Sequence, residues 1–393
     1  PDPERYPNGI SEIRDYCHLR GMKFGMWMEA ERIAELSAVY RKHPQWLTTH
    51  PDGRKGALLD LTLPEAAQWA ENEIARVISE YQLDLFRVDY NIASEELFAL
   101  SSSSERECLS VRHTNAVYGM YERLKKRFPQ VIFENCASGG GRFDPGILCY
   151  APQGWTSDDT DAIERIKIQY GTSMCYPISS MGSHVSVVPN HQTRREAPLK
   201  TRANAAYFGT FGYELDLNKL TAEEIEEVKK QVKFMKSYRE VIQYGTFYRL
   251  ASPFDDEECG WMVVSDDKKT AIVAWFRTLY TPNKCFTRMK LHGLDPDALY
   301  SCNVLGGQAL TVSKTPDGKR IYETVTKEND DPASVDVVVG PACYGDELMN
   351  LGLITSDTAA GEIVGEDVPC GDYDSRLYIL KACLLYTSDA ADD

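Results

Sequence analysis

The sequence has no long hydrophobic run, no paired-cysteine motif and a shortage of basic residues, and each deficit narrows what the chain can do. Nowhere do 18 apolar residues follow one another, so no segment has the roughly 20-residue apolar length of a membrane-spanning helix. Lys and Arg number 43 against 59 Asp and Glu, a formal charge of −16. A surface that acidic repels phosphate backbones and anionic lipid, which argues against nucleic-acid or membrane partners held through a basic patch. The eleven cysteines are odd in number and scattered singly from Cys17 to Cys383, without a CxxC pair. This is the pattern of free thiols packed as small hydrophobes, and it points to a reducing, cytoplasmic setting. There is no Gly-x-Ser-x-Gly elbow, which disfavours a serine hydrolase. Neither His184 nor His191 stands in an HxH or HExxH pattern, so metal ligation has no spacing support.

The ends are also unusual. Residue 1 is Pro, and no charged-then-apolar leader precedes the first structured run. Residues 383–393 read CLLYTSDAADD and resemble translated sequencing-adapter read-through. The expectation is a chain truncated at both ends, with 383–393 a non-native tail outside the fold.

Within those limits the 393 residues, 43% of them hydrophobic, suffice for two domains with sizeable cores. The first two-thirds alternate helical and strand-like signals. Residues 8–20 carry helical periodicity and stop at Gly21, a natural position just past a helix end. The segment 64–81 (PEAAQWAENEIARVISEY) is amphipathic with Pro near its start. Further helices are expected around 110–127 and over 161–172, 198–207 and 221–240. Between them lie short apolar runs suited to buried strands: MKFGMWMEA, LDLFRVDYN, VIFENC, GWTSDD, ISSMGSHVS and FGTFGYELD.

Repeated strand–helix alternation implies a parallel sheet covered by helices. The polar residues favour a barrel over an open sheet, because a barrel collects functional side chains at the C-terminal ends of successive strands. Those ends here carry Glu29 and Glu31, Asp89 and Asn91, Glu134 to Cys136, Asp158 and Asp159, His184, and Asp216. The reading is six strands of an eight-stranded (β/α)8 TIM barrel over residues 1–244, with two strands upstream. From 245 to 382 the runs WMVVS, TAIVAWF, RMKLHGL, RIYETV and VDVVVG, separated by turn residues, predict an antiparallel β domain.

Carboxylates at a barrel mouth suit glycoside hydrolysis, which needs one carboxyl to protonate the leaving oxygen and another to attack the anomeric carbon or activate water. Asp89 ends an apolar strand, and Arg87, two residues earlier, points to the same side. A structural salt bridge is the alternative. Asp158 and Asp159 could form the second centre, although Ser157 and Asp158 also read as an ordinary helix N-cap before 161–172. Gly139 to Gly141 permit close approach of backbone to a ligand, and they lack the Lys and spacing of a P-loop. Trp27 offers a flat apolar face for a sugar ring or, as many tryptophans do, fills the core.

The strings themselves are more specific. FENCASGGGRFDPGIL followed by WTSDDTDAIERIKIQYGTSMCYPISSMGSHVSVVPNHQTRR resembles the hallmark region of glycoside hydrolase family 36, the bacterial and fungal α-galactosidases. YPNGISEIRDYCHLRGMKFGMWMEAERI resembles that family's F-P-N-G-L … G-L-K-F-G-L-W-F-E-P-E block, and LLDLTLPEAAQWAENEI its L-D-L-S-x-P-E helix start. Ser252–Phe254, Trp261–Ser265 and Gly345–Met349 resemble features of its C-terminal domain. The resemblance implies a (β/α)8 barrel followed by an antiparallel β domain. It implies a retaining exo-acting enzyme that removes terminal α-galactose from small oligosaccharides such as melibiose and raffinose, with Asp89 as nucleophile. Asp158 is its implied acid/base, with Asp159 the alternate. Trp27, Arg54, Arg87, Asn91, Cys136 and Gly139 fall at sugar-contacting positions. No metal or organic cofactor is required, and family habit implies a homotetramer.

Two departures mark the pocket. The family's Lys-Trp-Asp reads Arg87-Val88-Asp89 here, and the Pro of E-P-E is Ala30. Arg brings a wider, planar fork where Lys brings a point charge. The family's Asp-Asp-Gly-Trp strand is expected upstream of residue 1. Retaining chemistry predicts that the two carboxyls stand roughly 5–6 Å apart. An α-N-acetylgalactosaminidase, a galactosyl-transferring relative and a degenerate galactoside-binding barrel remain open at this point.

Overall fold

The structure is a computed structural model and describes residues 2–49, 53–92, 106–282, 287–305, 309–314, 320–325, 337–338, 342–355 and 371–383. Of the tail expected over 383–393, residues 384–393 lie outside the described residues, whereas Cys383 is described and donates its N–H to the Leu299 carbonyl at 2.7 Å. The chain divides into two compact units, residues 1–158 and 159–393.

The first unit opens with α1 (Ser11–Leu19), closed by Gly21 at φ +70°, and continues into β1 (Gly25–Glu29). A short helix α2 (Ala38–Lys42) and the hairpin β2 (Leu47–Thr49) and β3 (Lys55–Leu59) follow. This hairpin was not among the expected strands. Helix α3 (Pro64–Tyr81) begins at its proline, where the missing N–H is no loss, and ends at Gln82 in the left-handed region. It lays Ala66, Ala70, Ile74 and Ile78 into the core. Then come β4 (Leu85–Asp89), α4 (Arg106–Arg127), β5 (Ile132–Asn135), α5 (Pro145–Leu148) and β6 (Gln153–Gly154).

Strands β1, β4, β5 and β6 form one parallel sheet in that order. Alternate residues Phe86 and Val88 on β4 and Phe133 on β5 are buried against the helices with Tyr121 and Leu124 of α4. The residues between them in the pleat, Arg87 and Asp89, face the other side. Burial of the apolar face therefore fixes where the chemistry points. GWTSDD is a strand only at its first residue: Gly154 pairs with Asn135, and after Trp155 donates its N–H to the Asn135 carbonyl the chain leaves the sheet.

The second unit holds α6 (Ala162–Thr172), β7 (Gly182–Ser186), α7 (Leu199–Ala206), β8 (Thr210–Glu214) and α8 (Ala222–Tyr244), with β7 and β8 paired in parallel. Thr221 and Glu224 form a capping box at the start of α8. His184, expected at a strand end, is the middle residue of β7 and lies 3.3 Å from Glu214. The remaining strands are β9 (Thr246–Ala251), β10 (Glu258–Val264), β11 (Thr270–Arg277), β12 (Arg288–Met289), β13 (Leu299–Val304), β14 (Ala309–Lys314), β15 (Arg320–Val325), β16 (Val337–Val338), β17 (Cys343–Tyr344), β18 (Leu353–Ile354) and β19 (Asp374–Ala382), with α9 (Gly345–Asn350) after β17. Seven of them make an antiparallel sheet ordered β16-β13-β19-β11-β10-β9, with β17 also on β13. RMKLHGL is a strand only over Arg288–Met289, which pairs with β18. Met262, Trp275, Tyr300 and Tyr378 fill the core on one face. Helix α7 is tied to this sheet by Thr201 donating to the Tyr373 carbonyl at 2.7 Å and Asn204 donating to Ser375 at 2.9 Å.

None of the described helices is long and apolar enough to cross a membrane. The nine described cysteines are all free thiols.

Candidate active site

The site is built on the parallel register of the first sheet. Trp27 of β1, Arg87 of β4, Glu134 of β5 and Gln153 of β6 are successive register partners, so the four form one row across the sheet. Two residues further along, Glu29 is the partner of Asp89. Trp27 is 61% exposed and therefore not a core tryptophan; it is the third residue of β1 rather than its last.

Asp89 is 9% exposed. Its Oδ1 accepts the Tyr90 N–H at 2.8 Å, and its Oδ2 lies 3.8 Å from Arg87 Nη2. The opposite edge of the guanidinium donates to Glu134 Oε1 at 3.1 Å, and Glu134 Oε2 accepts from Gln153 Nε2 at 2.6 Å. Arg87 also lies over Trp155, 6.0 Å from its ring centroid. Cys136 follows β5 and donates its N–H to the Val88 carbonyl at 3.0 Å, which places its thiol within reach of the Arg87 and Asp89 charges. Burial pushes its thiol up to about 11 although the Arg87 charge pulls the other way, so it remains a neutral S–H at pH 7.

The glycine run packs against the protein itself. Gly139 has φ +80°, and a methyl there would lie 2.6 Å from the Asp158 amide nitrogen and 2.8 Å from Ser157 Cα. At Gly140 it would meet the Thr156 carbonyl at 2.4 Å. The close backbone approach expected here is thus to the segment carrying Asp158. Asn91 ties the same loop down: its amide donates to Glu29, and its Oδ1 accepts from Ser138 N and Oγ at 3.2 and 3.1 Å.

The N-cap of α6 is Asp161, whose side chain accepts from Ile163 N, rather than Ser157 or Asp158. Asp161 is held further by Thr193 and by Arg195 at 2.8 Å. Asp159 Oδ1 accepts the Asp161 N–H at 3.0 Å, a turn-forming role. The structure therefore brings together Arg87, Asp89, Asn91, Cys136, Gly139 and the backbone of Asp158. Arg54 stands on a separate element, exposed at the entrance to β3.

A buried cluster behind Asp89 was not foreseen. Glu31, fully buried, accepts from Arg142 Nη1 at 2.6 Å and pairs with His113 Nε2 at 2.8 Å. Burial alone would raise its carboxyl, but the Arg142 charge and the His113 hydrogen bond outweigh it and hold the group at about 2. Arg142 in turn donates to Asn135 Oδ1 at 2.9 Å and stacks 5.2 Å from the Tyr90 ring centroid. The cluster links the loops after β1 and β4 to the end of β5. Its partners lie 82 and 111 residues apart, a separation that leaves no periodic signal in sequence. Among the described residues no group of three His, Cys, Asp or Glu is placed to hold a metal ion. In the second unit a groove of about 440 Å³ lies between β8 and α8, lined by Phe211, Tyr213, Val232, Met235, Lys236 and Arg239, and it contains none of the expected site residues.

A family model described as Melibiase matches residues 2–245, and one described as Glycosyl hydrolase family 36 C-terminal domain matches residues 258–380. The chain belongs to glycoside hydrolase family 36. It is 42% identical over 308 residues to alpha-galactosidase AgaA of Geobacillus stearothermophilus, covering 77% of this chain and 42% of that one. It is 39% identical over 318 residues to alpha-galactosidase Mel36A of Lactobacillus acidophilus, covering 78% and 43%. Among solved structures, the alpha-galactosidase of Lactobacillus brevis superposes with TM-score 0.82 at 39% identity, over 98% of this chain and 47% of that one. An AgaA variant crystallised with raffinose gives TM-score 0.79 at 35% identity, over 96% and 47%. The chain thus spans less than half the length of these relatives. Its fold is that of the family: strands of a TIM barrel followed by a C-terminal antiparallel β domain.

Proposed function

We propose that the full-length protein is a retaining, exo-acting α-galactosidase with Asp89 as nucleophile and Asp158 as acid/base. The observation that carries the reading is one short loop: Cys136 at its start donates its N–H to the carbonyl of Val88, next to Asp89, and Gly139, three residues on, abuts the Asp158 backbone. A loop so placed sets the relation between two carboxyls, which is the requirement of a double displacement. Asp89 attacks the anomeric carbon while Asp158 gives its proton to the leaving oxygen; Asp158 then deprotonates the water that opens the glycosyl-enzyme. Asp159, whose Oδ1 accepts the Asp161 N–H in the turn that starts α6, is the alternate. Trp27, Arg54, Arg87, Asn91, Cys136 and Gly139 complete the sugar subsite in this reading. Exposed Trp27 beside Arg87 offers a stacking face flanked by a hydrogen-bond fork.

Small raffinose- and stachyose-type oligosaccharides are the proposed substrates, supported by AgaA variants crystallised with each. The barrel is assigned to residues 1–244 and the β domain to 245–382, supported by the limits of the two family models. A cytoplasmic homotetramer is proposed for the whole protein, the free thiols supporting the reducing compartment.

The test is the hydrolysis of aryl α-galactoside against aryl α-N-acetylgalactosaminide by the full-length gene product, with Asp89→Ala as blank. Galactoside turnover lost in the variant is expected. Faster turnover of the N-acetylgalactosaminide would reassign the sugar, and turnover surviving in Asp89→Ala would remove Asp89 from the mechanism.

A further inference from the structure

The geometry points to a role for Glu134 that the family resemblance does not assign: we propose that Glu134 is a positioning residue that holds the Arg87 guanidinium off Asp89. The inference rests on the reading of Asp89 as nucleophile. Arg87 has a carboxylate on either side. On one it makes a hydrogen bond, Nη1 to Glu134 Oε1 at 3.1 Å; on the other Nη2 stays 3.8 Å from Asp89 Oδ2, beyond hydrogen-bonding distance. Glu134 is itself braced by Gln153 at 2.6 Å. All three residues stand at one level of the β4-β5-β6 register, so the brace acts across the sheet, sideways to the line from Arg87 to Asp89.

The consequence follows from guanidinium chemistry. An arginine beside a carboxylate tends to close into two parallel charge-assisted hydrogen bonds, the strongest arrangement open to the pair. Such a fork would occupy both oxygens of Asp89 and damp the lone pair that must attack carbon. Oδ1 accepts the Tyr90 N–H and Oδ2 is the oxygen that faces Arg87, so in this reading Oδ2 is the oxygen that attacks. Glu134 takes one edge of the fork and offsets part of its charge. Arg87 thereby stays near Oδ2 as a source of positive potential without capping it. A lysine, with a single point-like ammonium, cannot form the fork; the need for a restraint arises with arginine.

The experiment substitutes Glu134→Met in the full-length gene product, which removes the acceptor and the charge at similar length. The expected result is a fall in kcat of about tenfold or more, the order of one charge-assisted interaction, with KM changed less than about threefold. In the crystal structure of the variant both Arg87 nitrogens should come within hydrogen-bonding distance of Asp89. The double variant Arg87→Lys/Glu134→Met should turn over within about threefold of Arg87→Lys alone, because lysine has no fork to restrain. Losses that multiply in the double variant, or an Arg87–Asp89 separation unchanged in Glu134→Met, would overturn the proposal. Where Glu134→Met does not fold, Gln153→Met, which removes only the brace, is read by the same two criteria. If the wild-type protein hydrolyses no α-galactoside, the functional reading fails, and the crystallographic separation still decides whether Glu134 restrains Arg87.

Discussion

Replacing Gly139 by alanine should cripple proton donation more than it harms the fold. The added carbon would sit 2.6 Å from Asp158 N and 2.8 Å from Ser157 Cα, against about 3.5–4.0 Å for a relaxed contact. The atoms it meets are backbone and cannot swing aside as a side-chain tip would. Loop and segment must separate by roughly 1 Å, and misplacements of that size cost about 10²-fold in rate. The positive φ adds about 1–2 kcal/mol of strain, which a cooperative domain of this size tolerates. The assay compares two leaving groups. A dinitrophenyl α-galactoside departs with little need of a proton, whereas raffinose requires full protonation. For Gly139→Ala, kcat/KM on raffinose should drop about 100-fold and on the activated galactoside less than about tenfold. Equal losses on both substrates, or no loss with a normal unfolding transition, would refute the argument that Gly139 seats Asp158.

Two more predictions concern buried groups. Glu31 titrates at about 2 in the fold against an ordinary 4.5. The stability it contributes is therefore complete above pH 4.5 and is lost as pH falls towards 2, on the order of 3 kcal/mol. Urea midpoints measured from pH 7 to pH 3 should fall less steeply in Glu31→Gln than in the wild type; parallel slopes would refute the assignment. Cys136, fully buried with its thiol raised to about 11, should resist iodoacetamide at pH 7.5, while exposed Cys149 and Cys175 react within the same hour. Peptide mass spectrometry reads this directly, and early labelling of Cys136 would contradict the closed, neutral thiol described here.

The fold was legible where local physics decides it. Pro64 with its amphipathic stripe predicts α3 to the residue, and the short apolar runs around Phe86 and Phe133 predict buried parallel strands because both flanks of each run are polar. Legibility failed where a partner distant in sequence decides the outcome. GWTSDD looks extended, yet β5 offers it partners only as far as Gly154. Ser157 and Asp158 carry capping chemistry, but Asp161 stands where Ile163 N can reach it. Of the site, the Arg87–Asp89 pairing followed from strand period alone. That Gly139 and Gly140 face the segment leading to Asp158, and that Glu31, His113 and Arg142 meet beneath Tyr90, depends on how loops close in space.

The central claim, that Asp89 is the nucleophile and Asp158 the acid/base of a double displacement, is tested most directly by azide rescue. Full-length Asp89→Gly and Asp158→Gly variants would be given an activated aryl α-galactoside with sodium azide, and the anomer of the galactosyl azide read by NMR. With the nucleophile gone, azide takes its place and yields the β-azide. With only the acid/base gone, the glycosyl-enzyme still forms and azide opens it to the α-azide. The expected products are the β-azide from Asp89→Gly and the α-azide from Asp158→Gly. The reverse assignment, or an α-azide from both variants, would contradict the claim.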